Sequence, residues 1–77
     1  MSVTDFSGKR IVVIGAGISG RAAAAVLKRH GGTVVLNDIK GHDENAEPWR
    51  TLRARGITCI FGRQDSSVLD GADIVVP

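Results

Sequence analysis

The sequence is poor in the residues that many functions require. It has no tyrosine, one tryptophan and two phenylalanines, and its ten basic residues are scattered along the chain. A nucleic-acid surface needs clustered Lys/Arg with aromatic stacking platforms, so no nucleic-acid partner is expected. A single cysteine, Cys59, excludes an internal disulfide and a cysteine-based zinc site. Its setting, Ile57-Thr58-Cys59-Ile60-Phe61, reads as a buried strand thiol. No apolar run approaches the ~18 residues of a membrane span. The segment Met1 to Gly8 is too short and polar for a signal peptide. A cytoplasmic, soluble protein with no membrane partner is the expectation. Internal repeats and low-complexity segments are absent too.

What is present suits one small globular domain. The chain has 77 residues, 43% hydrophobic and 23% charged, which is an ordinary soluble composition. A chain of this size buries only about 60–65% of the surface that it exposes when unfolded, so its core is thin. Ten glycines point to places where the backbone turns tightly or approaches something closely. A net charge of +2 leans only slightly toward an anionic ligand.

Periodicity gives alternating strands and helices. Ile11-Val12-Val13-Ile14 is a β-branched run without polar alternation, as in a parallel strand covered on both faces. Ile18 to His30 is an alanine-rich helix in which Ile18, Ala22 and Val26, with Ala23 and Leu27 beside them, mark the expected inward face. Gly31-Gly32 ends it. Thr33 to Asn37 forms a second strand closed by Asp38, and Lys40 to Asn45 a solvated loop. Ala46 to Arg55 is a second helix with Trp49 and Leu52 inward, stopped by Gly56. Ile57 to Phe61 is a third strand, Gln64 to Leu69 a short helical turn, and Ile74 to Val76 a fourth strand. The pattern predicts an α/β fold, a Rossmann-like parallel sheet with flanking helices and right-handed crossovers. The last strand lacks a covering helix before Pro77, so a domain truncated after its fourth strand is expected.

The chemistry concentrates at Gly15-Ala16-Gly17-Ile18-Ser19-Gly20. A bare G-x-G-x-x-G is common by chance, but this one follows a strand, opens a helix and precedes a strand ending in an acid. Asp38 lies 18 residues beyond Gly20, close to the spacing of about 20 in the dinucleotide fingerprint. Gly15 permits the sharp turn, Gly17 leaves backbone open to a diphosphate, and Gly20 lets the helix sit close on the sheet. The first-turn amides around Ile18, Ser19 and Gly20 lack intrahelical acceptors and point at an anion. Ser19 reads either as a phosphate donor or as a plain helix-start serine. Asp38 can accept hydrogen bonds from a ribose diol or from a base N–H, and Lys40 can reach a phosphate or remain a solvated lysine.

Gly15 and Gly20 share the P-loop spacing, but Arg21 stands in the lysine position and Ala22 where a magnesium-binding hydroxyl belongs, so the turn does not hydrolyse ATP. His30 reads as a helix-end cap. His42, Asp43 and Glu44 are consecutive loop residues that seldom converge on one ion, and no metal site is expected. From the residues alone, an NAD-binding domain of an oxidoreductase and a nucleotide-sensing regulatory module both fit the turn.

The run Val13-Ile14-Gly15-Ala16-Gly17-Ile18-Ser19-Gly20-Arg21-Ala22-Ala23-Ala24 resembles the opening of the Mur ligases. Leu69-Asp70-Gly71-Ala72-Asp73-Ile74-Val75-Val76-Pro77 is similar to that family's run into a Ser-Pro-Gly loop, and Gly56-Ile57 fits as well. The resemblance implies that residues 1–77 are an incomplete, Rossmann-like N-terminal domain. Such a domain binds the UDP part of UDP-N-acetylmuramoyl-L-alanine instead of NAD. Ile18 and Ser19 would then meet the diphosphate within the Gly15, Gly17 and Gly20 turn. Asp38, with the Ile39 backbone, would hold the uracil edge, and Lys40 would match a basic residue near the phosphates. Some relatives carry a hydroxyl residue where Ile39 stands, so no side-chain hydrogen bond is expected there.

The same resemblance implies an intact enzyme that is an ATP-dependent amide ligase of peptidoglycan synthesis. ATP phosphorylates the substrate carboxylate, the amine of D-glutamate attacks the acyl phosphate, and phosphate leaves. The ATP loop, the magnesium ligands and the D-glutamate site would lie in central and C-terminal domains outside this sequence. No catalytic residue and no bound cofactor are therefore expected among these residues, ATP and Mg serving the intact enzyme. A monomer is the expected state.

Overall fold

The computed structural model describes residues 5–77. Met1 to Thr4, half of the segment considered above as a leader, lie outside the described residues. The order of elements is β1 (Arg10–Ile14), α1 (Ile18–Arg29), β2 (Thr33–Asp38), α2 (Trp49–Ala54), β3 (Thr58–Phe61), a 3-10 turn (Ser66–Leu69) and β4 (Ile74–Val76). The four strands form one parallel sheet in the order β3-β2-β1-β4. The expected α/β arrangement is therefore present. The chain builds outward from β1 through β2 to β3, then returns to the other side of β1 as β4. That reversal opens a crevice at the carboxyl ends of β1 and β4, where open α/β sheets bind ligands.

The central strands are apolar on both faces because both faces are covered. Ile11, Val12, Val13, Val34, Val35 and Leu36 are at most 1% exposed. One face carries the larger core, in which Ile11, Val13, Val34 and Leu36 meet Ala24 of α1, Trp49 and Leu52 of α2, and Ile57. Val12 and Val35 pack on the other face against Val68 of the 3-10 turn, with Ile14, Ile60 and Ala72 partly buried beside them. That side is thin, and Val75 on the edge strand remains 47% exposed. Asp73 fastens β4 to its neighbour. Its carboxylate accepts the Arg10 N–H at 2.9 Å, and its own N–H donates to the Arg10 carbonyl at 2.8 Å.

Two expectations about the helices need correction. Ile18, Ala22 and Val26 do not face the sheet; Ile18 is 79% exposed, Val26 44% exposed, and Ala22 also lies at the surface. The inward line is Gly20, Ala24 and Leu27, with Ala24 fully buried. At 3.6 residues per turn, Gly20 points about 160° away from the Ile18–Ala22–Val26 stripe. A helix that brings Gly20 onto the glycine turn must therefore turn that stripe outward. Four consecutive alanines leave periodicity nearly uninformative, and the close contact of Gly20 sets the rotation.

The second correction concerns α2, which spans Trp49–Ala54 and not Ala46 to Arg55. Pro48 stands at its N-cap, and proline disfavours helical backbone in the residue before it. Ala46 and Glu47 are accordingly in turns. Trp49 and Leu52 are buried as expected, each 6% exposed. Both helices end on glycine with paired backbone bonds. Gly31 and Gly32 donate to Lys28 and Leu27, and Gly56 and Ile57 donate to Arg53 and Leu52. Cys59 is half-buried at the margin of the main core, and that burial raises its thiol above the ordinary value.

Candidate functional site

The end of β1 leads directly into the site. Gly15 adopts φ +97°, a left-handed conformation that L side chains avoid, and its N–H donates to the Asn37 carbonyl at 2.7 Å. The chain can therefore leave the sheet sharply while still tied to β2. Gly17 follows as the N-cap of α1, and no side chain caps this helix end. The first turn of α1 contains no acid, so nothing within it competes with an external anion for its free amides.

The three glycines of the turn differ in what surrounds them. A Cβ on Gly20 would stand 1.9 Å from the Gly15 carbonyl oxygen, which no side chain tolerates. Gly20 is thus required by the fold, for the close approach of helix to turn. A Cβ on Gly17 would meet nothing within 4 Å, and its φ of −73° suits any residue. The fold does not need glycine at that position, whereas a ligand lying against the backbone would.

Gly15, Gly17, Ile18, Ser19 and Gly20 line one open cleft of about 520 Å3, closed on its far side by Val76. The cleft occupies the crevice between the carboxyl ends of β1 and β4. Ser19 lies exposed at its rim and does not cap the helix, which leaves its hydroxyl available to a ligand.

Asp38, the last residue of β2, is joined to the glycine turn by its carboxylate. Oδ2 accepts the Ala16 N–H at 3.2 Å and lies 3.2 Å from His42 Nε2, while Oδ1 accepts the Lys40 N–H at 3.0 Å. The Lys40 amide, followed by His42, holds this carboxyl below the usual carboxylate range, outweighing its partial burial. Asp38 is therefore ionised at neutral pH. It is no loose strand-end aspartate. Ile39 is 67% exposed and the Lys40 side chain is exposed, and neither lines the cleft at the glycine turn.

Two site-forming residues lie outside the motif. Asn37 is fully buried; its Nδ2 donates to the carbonyls of Ile60 and Arg63, each at 2.8 Å, and its Oδ1 accepts from Gln64 at 3.2 Å. It pins the segment after β3 beneath the end of β2. An amide in an otherwise apolar buried strand is a signal of such a network, since unpaired it would be costly. His42, read above as a solvated loop residue, instead lies with its ring centroid 4.6 Å from that of Trp49 and 4.7 Å from that of Phe61. No local pattern reveals this, because the three rings come from a loop, a helix and a strand.

No family model matches the chain. It is similar to the UDP-N-acetylmuramoylalanine--D-glutamate ligase of Shouchella clausii, with 38% identity over 74 residues that make up 96% of this chain and 16% of that enzyme. The ligase of the same name from Limosilactobacillus fermentum is 39% identical over 75 residues, again 96% of this chain and 16% of the relative. That of Bacillus velezensis is 40% identical over 68 residues, 88% of this chain and 15% of the relative. The chain thus spans about a sixth of the length of these ligases. The resemblance carried by the motifs extends along essentially the whole of the chain.

Proposed function

We propose that this chain is the nucleotide-docking part of a UDP-N-acetylmuramoyl-L-alanine:D-glutamate ligase and that it binds the UDP moiety of the carboxylate substrate. The observation that carries the proposal is the cleft at the β1/β4 crevice, where the open Gly17 backbone and the uncapped start of α1 face the same space. In this reading the diphosphate lies over Gly15 and Gly17 and takes the amides of Ile18, Ser19 and Gly20, with the Ser19 hydroxyl as a further donor. The base edge reaches Asp38 and the Ile39 backbone, and Lys40 supplies a positive charge from the surface beside Asp38.

Hydrogen-bond counting at Asp38 favours a base over a ribose diol. A carboxylate offers about four lone-pair sites, and Ala16, Lys40 and His42 take three of them. One acceptor position remains, on Oδ1. It suits the single N–H of a uracil imide, whereas the ribose diol of NAD presents two O–H donors. This count supports UDP over the NAD-binding alternative.

For the intact enzyme the proposal is an ATP-dependent amide ligase acting in peptidoglycan synthesis, with D-glutamate as the incoming amine. The role of these 77 residues is then positional. Holding the nucleotide firmly fixes the far end of the substrate and lets binding energy orient the carboxylate that reacts elsewhere. The full-length protein should release phosphate from ATP only when UDP-N-acetylmuramoyl-L-alanine and D-glutamate are both present. Phosphate release without D-glutamate, or with a nicotinamide substrate in place of the UDP compound, would overturn the assignment.

A further inference from the structure

Asp38 is a short side chain at the end of a strand, and its usefulness to a base depends on where its one open lone pair points. Backbone amides fix part of that direction: Ala16 holds Oδ2 and Lys40 holds Oδ1. Both of these amides belong to loop segments. The third partner is His42, and its ring is wedged between two others. It is tilted 46° to Trp49 and edge-on at 72° to Phe61, and those two rings meet each other at 4.8 Å. Arg21 of α1 lies 5.7 Å from the Trp49 ring and covers the cluster from the first helix. A ring held in this way has little rotamer freedom, so its nitrogen is pre-organised toward Oδ2.

From this arrangement we infer that His42 is a positioning residue for nucleotide recognition, donating from Nε2 to Asp38 and so aiming the remaining Oδ1 lone pair at the base. The inference rests on the docking reading above and deepens it. An ionised carboxylate only accepts hydrogen bonds, so the imidazole presents a proton on Nε2. The aromatic trio then has a role beyond filling the core: α2 and β3 together hold a loop histidine against the ligand-facing end of β2. His42 itself makes no contact with the ligand in this account.

The test separates recognition of the base from structure. His42→Phe keeps a ring of similar size between Trp49 and Phe61 but removes the donor, whereas His42→Gln replaces the ring and restores an N–H at comparable reach. UDP affinity is expected to fall about tenfold in His42→Phe and to recover to within about threefold of the parent chain in His42→Gln. Affinity for inorganic pyrophosphate, which has no base, should be unchanged in both. Equal losses for UDP and pyrophosphate would mean that His42 only supports the fold, and an unchanged UDP affinity in His42→Phe would overturn the inference. A parent chain that ignores UDP altogether would remove the docking reading itself. The unaltered chain provides a measurement independent of folding in the variants. Nitrogen-15 spectra of His42 near pH 8 should show the Nε2–H tautomer, and the Nδ1–H tautomer would contradict the proposal.

Discussion

The first two of the sheet's three crossovers are built to opposite specifications. The first, β1–α1–β2, is made of glycine and alanine, and its contact with the sheet depends on side chains that are missing. The second, β2–α2–β3, has a helix of only six residues and relies on bulk, with Trp49, Phe61 and His42 in mutual ring contact. One crossover leaves backbone open for a ligand, and the other supplies rigidity. They meet at Asp38, whose Oδ2 contacts both the Ala16 N–H and His42 Nε2. A small domain can thus leave an open cleft at one end of its sheet while a short, well-filled unit beside it fixes the Asp38 carboxylate.

The comparison is broken most severely from the aromatic side. Trp49→Ala removes a ring that is 6% exposed and touches both His42 and Phe61; a loss of about 3–5 kcal/mol is expected. A domain of this size has a total stability of only about 4–11 kcal/mol. Urea denaturation should therefore show most of the stability gone, and a midpoint near that of the parent would disprove the assigned role of the second crossover.

The glycine turn sharpens the contrast, since two of its glycines should fail in different ways. Gly20→Ala drives a methyl group into the Gly15 carbonyl and should cost about 1–3 kcal/mol or more in the same denaturation experiment. Gly17→Ala meets open space. It should change stability by less than about 1 kcal/mol and yet weaken UDP binding at least about tenfold, because the methyl stands where the diphosphate would lie. Equal effects of the two substitutions on stability would contradict the distinction between a fold glycine and a ligand glycine.

The smallest expected effect is on acid stability. The Asp38 carboxyl titrates lower in the fold than in the unfolded chain, through the Lys40 amide and His42. Its contribution is present above the unfolded pKa of about 4 and is lost as pH falls through the lower, folded value. Asp65 is lowered too, by the hydroxyl and amide of Ser67. Asp38→Asn should therefore make the acid limb of a stability–pH profile shallower without abolishing it. An unchanged limb would mean that the carboxylate contacts contribute nothing to folding.

Legibility in the sequence divides along the same line. The first crossover could be read almost completely, because a glycine turn between a strand and a helix is a local pattern and each glycine has a local reason. The exception is the rotation of α1, where Ile18 and Val26 suggest an inward stripe that the contact of Gly20 with Gly15 forbids. The second crossover was legible only as a helix and a strand, and Pro48 shortened even that helix. Partnership of His42 with Phe61 depends on the parallel pairing of β2 with β3, in which Asp38 lies opposite Phe61. Asn37 belongs to the same class: its three partners, Ile60, Arg63 and Gln64, come from beyond the next crossover.

The central claim is that the glycine turn and Asp38 together recognise a uridine diphosphate. An amide NMR titration of the chain with UDP, and separately with NAD, tests it most directly. UDP is expected to shift the amides of Gly17, Ile18, Ser19, Gly20 and Asp38 while NAD leaves them in place. Shifts at those positions with NAD and none with UDP would contradict it and point to an oxidoreductase.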